Sequence, residues 1–245
     1  MRLKLLLALA ALGGTAAGAG ARADERPGPP GRSRNSYADP SAVIAAELAF
    51  ARAAQEKGQW TAFAATAASD AVMFEPQMVL AQQWLKGRAN PPVAVKWQPH
   101  QVWSSCDGSL MVSHGAWQGP KRTGYFTTLW QRQRDGAYKW IYDGGDSLAQ
   151  PLAAPEMIAG QIADCPARTR RAPGAVANTG RVNPRGANRS IPFDPAHRSG
   201  QSDDGTMRWT VTANSSGARN LSVEWKKDGA DKPVLIEEVS APVSP

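Results

Sequence analysis

Ser69-Asp70-Ala71-Val72-Met73-Phe74-Glu75-Pro76 reads as a short apolar strand that ends on a carboxylate and is stopped by a proline. Proline has no N–H to give to a sheet ladder, so the strand is expected to finish there. Two helical segments come before it. Asp39 can cap the free N–H groups of the first, and Pro40 suits its opening turn. Val43, Ile44, Leu48, Phe50, Ala51 and Ala54 recur at helical spacing, and Lys57-Gly58 closes the segment. A second helix over about residues 59–68 carries Trp60, Phe63 and Ala67 on its core side. Glu75 thus stands where helices meet a sheet, a common setting for a ligand pocket.

Beyond Pro76 the pattern predicts a short helix from Leu80 to Lys86, ended by Gly87. The period then changes to two. Lys96 to Ser104 alternates, with Trp97 and Trp103 on one face, and strands follow over 110–118, 124–134 and 138–143. Cys106-Asp107-Gly108 and Arg134-Asp135-Gly136-Ala137 are hairpin turns by residue type. Helices followed by an antiparallel run predict an α+β layer, a curved sheet with helices on one face. Roughly 110 residues suffice for a single core of this kind.

The character shifts after Pro151. Residues 155–164 are expected to form a short helix within an irregular basic linker over 149–200. That stretch holds Arg168, Arg170, Arg171, Arg181, Arg185, Arg189 and Arg198, with Phe193 its sole aromatic residue after Pro166. Such sparse aromatics do not make a stacking platform for single strands, so no nucleic-acid partner is expected. Residues 201–245 alternate again through Met207, Trp209, Val211, Leu221, Val223 and Trp225, and predict a small β-meander. It is too small to stand alone and is expected to lean on the first domain. No internal repeat is read from the chain.

The N-terminus has the form of a secretory signal. Arg2 and Lys4 precede an apolar core from Leu5 to Leu12, and Ala21-Arg22-Ala23 offers a cleavage site. Residues 1–23 are therefore read as a signal peptide and 24–38 as a flexible leader, with a periplasmic or secreted destination. The apolar run is too short to span a bilayer, and no membrane insertion is expected after cleavage. Cleavage would lower the formal net charge from 28 − 21 = +7 to 25 − 21 = +4. In an oxidising compartment Cys106 and Cys165, the only cysteines, most simply form one disulfide. Two cysteines and three scattered histidines lack metal-ligand spacing, so neither a metal nor a cofactor is expected.

The order of elements, together with the closing pair Gly124-Tyr-Phe-Thr-Thr-Leu-Trp-Gln-Arg-Gln and Asp135-Gly-Ala-Tyr-Lys-Trp-Ile-Tyr-Asp-Gly-Gly, resembles the nuclear transport factor 2-like superfamily. The SnoaL-like and ketosteroid-isomerase-like branches are the most similar, over about residues 39–148. The resemblance implies a cone in which helices lie on the concave side of a bent antiparallel sheet and enclose an apolar cavity. It also implies a possible homodimer through the sheet. Members include isomerases, dehydratases, cyclases, hydrolases and non-catalytic binders, so the fold alone names no activity. Glu75-Pro76 falls where ketosteroid isomerases carry the Asp-Pro whose carboxylate shuttles the proton. Their oxyanion donors would fall at Ala51 and Trp130, which supply neither a hydroxyl nor an acid. Steroid isomerisation is therefore disfavoured.

The same alignment implies that Ser113, Gly115 and Trp117 face the cavity, joined by Thr128 and Trp130 and by Asp143 from the last strand. Glu75 and Asp143 would then be two carboxylates in one apolar cup, able to split their pKa values for acid–base work. The plainer alternative leaves Glu75 exposed at the rim and Asp143 ending its strand by bonding to Gly144-Gly145. His114 has the opposite parity and is read as structural; His100, beside Pro99, is read as a loop residue. Three functions follow as expectations. One is an exported binder of a small apolar or aromatic molecule. Another is a cofactor-free lyase or isomerase with Glu75 as general base. The third is an interaction module whose contact surface is the C-terminal meander with the arginine-rich segment, marked by an exposed apolar face around Trp209 and Trp225.

Overall fold

The computed structural model describes residues 38–166 and 193–241. The segment read as a signal peptide, all but the last residue of the expected leader, and most of the basic stretch lie outside these residues. Helix α1 (Pro40–Lys57) begins as expected, with the Asp39 carboxylate accepting from Ser41 N at 3.0 Å. It buries Val43, Glu47, Phe50 and Ala54. Gly58, at φ +96°, turns the chain into α2 (Gln59–Thr66). Asn90, distant in sequence, caps α2 by accepting from Trp60 N at 2.7 Å and Thr61 N at 3.1 Å. A Cβ on Gly58 would stand 2.3 Å from that Asn90 amide, so glycine satisfies both the dihedral and the cap.

Strands β1 (Ala67–Phe74) and β2 (Met78–Leu80) and helix α3 (Ala81–Leu85) follow. Then come β3 (Lys96–Ser104), β4 (Leu110–Gln118), β5 (Thr123–Arg132) and β6 (Tyr138–Leu148). With β7 (Ala159–Ile162) they form one curved sheet of order β2-β1-β6-β5-β4-β3-β7. The helices lie over one face, as expected for an α+β cone. Their contact is a core of Val43, Phe50, Phe63, Met73, Met111, Trp130 and Trp140. Each such side chain stabilises the fold by roughly 1.5–3 kcal/mol through burial.

The segment expected to be a short helix at 155–164 is instead β7, parallel to β3 with Gln101 opposite Ala159 and Ser104 opposite Ile162. Gly160 weakens any helix there, and the open edge of β3 supplies ladder partners that an isolated turn of helix cannot match. Ala163 N extends the pairing to Ser104 O, which brings Cys165 to Cys106. The two cysteines form the expected disulfide, with Cα atoms 5.1 Å apart. The linker is also shorter than expected. Strand β8 (His197–Gln201) already belongs to the C-terminal sheet, which continues with β9 (Met207–Ala213), β10 (Arg219–Lys227) and β11 (Ala230–Val239).

Two bulges alter the alternation that simple parity predicts. In β3, His100 is the extra residue between Pro99 (opposite Gly115) and Gln101 (opposite His114), so it lies in a strand and not a loop. Trp97 consequently joins the helix side and Trp103 the other side, although their spacing alone places them together. In β6, Ile141 is the extra residue between Trp140 (opposite Trp130) and Tyr142 (opposite Leu129). That bulge turns Tyr142 outward and Asp143 inward.

The second face of the cone is covered by the C-terminal sheet. Leu110, Val112, Leu129 and Tyr142 pack there against Met207, Trp209, Val211, Leu221 and Val223. Trp209 and Trp225 are 5% and 6% exposed, so the exposed apolar face needed by an interaction module around them is absent. The fold also contains a repeat that the sequence reading missed. Ser105-Cys106-Asp107-Gly108-Ser109 and Ser202-Asp203-Asp204-Gly205-Thr206 are turns with matching internal bonds. The strands after them match in order, and Asp135-Gly136-Ala137 recurs as Asp228-Gly229-Ala230. The two meanders meet reciprocally. Cys106 N donates to Thr206 Oγ1 and Asp203 N to Ser109 Oγ, both at 2.8 Å, as the halves of a two-fold dimer would.

Candidate functional site

A cavity of about 620 Å³ opens between α2, the end of β1 and the inner face of β4 to β6, within the range of small-molecule sites. Its walls are aromatic: Trp60, Phe63, Phe74, Trp97, Trp117 and Phe126. The Asn90 cap fixes Trp60, and an edge-to-face contact with Phe63 at 5.5 Å holds it against the wall. Trp117 is oriented by its indole N–H, which donates to Tyr125 O at 3.0 Å. The cone is thus open and not filled by its own tryptophans.

Asp143 lines this cavity, aimed there by the Ile141 bulge. Thr128 Oγ1 donates to its Oδ2 at 2.8 Å. Burial pushes the carboxyl up to about 7; the Thr128 bond opposes this and the nearby Glu47 charge adds to it. Asp143 is mid-strand in β6, which runs on to Leu148, so it does not serve as a turn-side cap. Glu75, the first residue after β1, is exposed at the rim, with its N–H donating to Gln77 O at 2.8 Å. Partial desolvation raises its pKa and the Arg88 charge opposes that. The two expected carboxylates do border one cavity, Asp143 within it and Glu75 at its edge.

Behind the wall lies a residue that sequence reading missed. Glu47 is fully buried, and its carboxylate receives three donors: Trp97 Nε1 at 2.7 Å, Ser113 Oγ at 2.6 Å and Trp130 Nε1 at 2.9 Å. Burial raises its pKa against those three bonds. The signal was present, since Glu47 lies four residues after Val43 and three before Phe50, inside the apolar stripe of α1. A carboxylate on the core face of a helix needs partners, and here they are two indoles and a serine.

This engagement explains where the remaining expected residues fall. Trp117 lines the cavity, but Trp130 does not, because its indole is turned to Glu47 and Ser113. Ser113 and Thr128 are also fully buried behind the wall, where they orient Glu47 and Asp143. His114 faces outward as expected. Its Nδ1 lies 2.9 Å from Thr127 Oγ1 and 3.3 Å from Glu237 of β11, and Thr127 Oγ1 donates to the same glutamate. His114 is thereby part of the seam between the two sheets. Among the described residues no cluster of histidine, cysteine, aspartate and glutamate has the form of a metal site, and no helix is long and apolar enough to cross a membrane.

No protein-family model matches the chain, and no curated protein does either. Solved structures similar to it include the following two. One is a "putative ketosteroid isomerase" from Parabacteroides distasonis ATCC 8503, at 14% identity and a TM-score of 0.37, covering 48% of this chain and 98% of that one. The other is a "putative ketosteroid isomerase" from Kribbella flavida DSM 17836, at 15% identity and a TM-score of 0.33, covering 49% and 88%. The α+β cone described above stands on this chain's own topology, and the similarity carries no activity across.

Proposed function

We propose that this is an exported protein that binds a small apolar or aromatic molecule in the cone, with Asp143 as the polar group that meets it. The observation that carries this reading is an open aromatic cavity with a single carboxyl, Asp143, set into its inner wall and held there by Thr128. An aromatic lining selects for apolar surface, and one convergent polar group fixes orientation. The signal-like N-terminus and the Cys106–Cys165 bond support export. The test is a fluorescence titration with N-phenyl-1-naphthylamine, an uncharged aromatic probe that brightens in apolar surroundings. Saturable brightening with quenching of tryptophan is expected, and its pH dependence between about pH 6 and pH 8 should disappear in Asp143→Asn. No saturable binding would overturn the reading.

A second reading rests on the same carboxyl. A group that holds its proton to about pH 7 is suited to general acid–base exchange, so a cofactor-free lyase or isomerase would use Asp143 in preference to Glu75. Glu75→Gln should then leave the pH profile unchanged while Asp143→Asn removes it.

A further inference from the structure

The C-terminal sheet does more than cover the outer face of the cone, because one of its side chains reaches the cavity. Arg219, the first residue of β10, lines the opening. It is held by two contacts: its Nη2 donates to Gly145 O, and its guanidinium lies 4.6 Å from the centre of the Phe74 ring. Its Nε is buried without a hydrogen-bond partner. Arg122, from the turn between β4 and β5, lines the same opening and is exposed. Among the described residues neither arginine has a carboxylate within ion-pair distance. The acidic groups at the opening are Glu75, which feels the charge of Arg88, and Asp146, which accepts from Ser147 N at 2.7 Å. A guanidinium fixed at an opening without a carboxylate partner, with an aromatic wall below, matches an oxyanion group on an apolar body.

We infer that Arg219 of the C-terminal sheet, with Arg122, makes the opening of the cavity a recognition site for the carboxylate or sulfonate head of an aromatic or apolar molecule. This rests on the reading of the cavity as a ligand site and narrows the ligand class. It also gives the second meander a role beyond packing, since the cone alone supplies Arg122 and not Arg219. The head sits at the rim and the apolar body extends along Trp117 and Phe126 towards Asp143.

A matched pair of probes tests this: 1-anilinonaphthalene-8-sulfonate and N-phenyl-1-naphthylamine share one apolar body and differ in the sulfonate. Both are titrated into the wild-type protein and into Arg219→Gln, Arg122→Gln and Arg134→Gln. Arg134 lies beyond the far end of β5, away from the opening, and serves as the control. The expected result is a loss of about fivefold or more in sulfonate affinity for Arg219→Gln and Arg122→Gln. The uncharged probe should hold within about twofold, and Arg134→Gln should change neither. An unchanged ratio of the two affinities in the opening variants overturns the inference and leaves the apolar site standing. Failure of the uncharged probe to bind the wild-type protein overturns the reading of the cavity itself. Arg122 is exposed and its replacement does not disturb the core, so that variant decides the matter if Arg219→Gln does not fold.

Discussion

Asp143→Asn should flatten the dependence of folding stability on pH. Burial in the cone raises this carboxyl from 3.8 to about 7, and a hydrogen bond from Thr128 opposes that. A carboxyl with its folded pKa above its unfolded value takes up a proton on folding. Its contribution is therefore fully favourable below the unfolded pKa and is lost as pH rises through the folded one. A gap of about 3 pKa units at 1.36 kcal/mol each gives roughly 4 kcal/mol in all. About two-thirds of that, near 3 kcal/mol, falls between pH 5 and pH 8. The asparagine amide keeps an oxygen for Thr128 and carries no charge, so the variant escapes this loss. Glu47, also raised by burial, titrates in both proteins; because its charge is felt at Asp143, removing the Asp143 charge relieves Glu47 as well and acts in the same direction. Urea unfolding of wild type and variant, with the disulfide intact, measures the effect at about pH 5, 6.5 and 8. The stability difference should move in the variant's favour by about 3 kcal/mol across that range. Two curves separated by a constant offset would refute the argument and place Asp143 in an ordinary solvated setting.

Glu47→Gln removes one acceptor oxygen from a site with three donors and strands a buried N–H or O–H; it should cost roughly 1–3 kcal/mol in urea unfolding, more than Trp97→Phe does. Thiol titration of the denatured, unreduced protein should find no free thiol. The double variant Cys106→Ser/Cys165→Ser, opening a 59-residue loop, should lose about 4 kcal/mol on the chain-entropy relation. Gly115→Ala places a Cβ 2.1 Å from Gln98 O and 2.8 Å from Pro99 Cα, both backbone atoms at the β3 bulge. It should therefore lower stability by roughly 1–3 kcal/mol, with circular dichroism reporting the shift in melting.

Much of the cone is written in local signals. Asp39-Pro40 and Gly58 bound α1 because capping and glycine dihedrals act within a few residues, and the alternation of β4 and β5 declares their two faces. Cys106 and Cys165 declare their pairing because no other cysteine competes. The repeat was legible too, in Ser-x-Asp-Gly followed by serine or threonine, but each copy is short and the strands between share little apart from parity.

The rest needed three dimensions. Strict alternation puts Trp140 and Tyr142 on one face, and only the extra residue at Ile141, set by pairing with β5, turns Asp143 into the cavity. The pKa of Asp143 follows from burial by elements far apart in the chain, as does the capture of Glu47 by two indoles. Residues 159–162 form a strand because β3 offers an edge, which no property of their own sequence announces. Sequence by itself determined α1, α2, the faces of β4 and β5 and the disulfide, since these depend on near neighbours, on the period of the backbone and on there being two cysteines. Tertiary structure alone decided which carboxylate enters the cavity and which arginine stands over it, because both depend on a bulge and a sheet-to-sheet contact between segments that meet only in the folded chain.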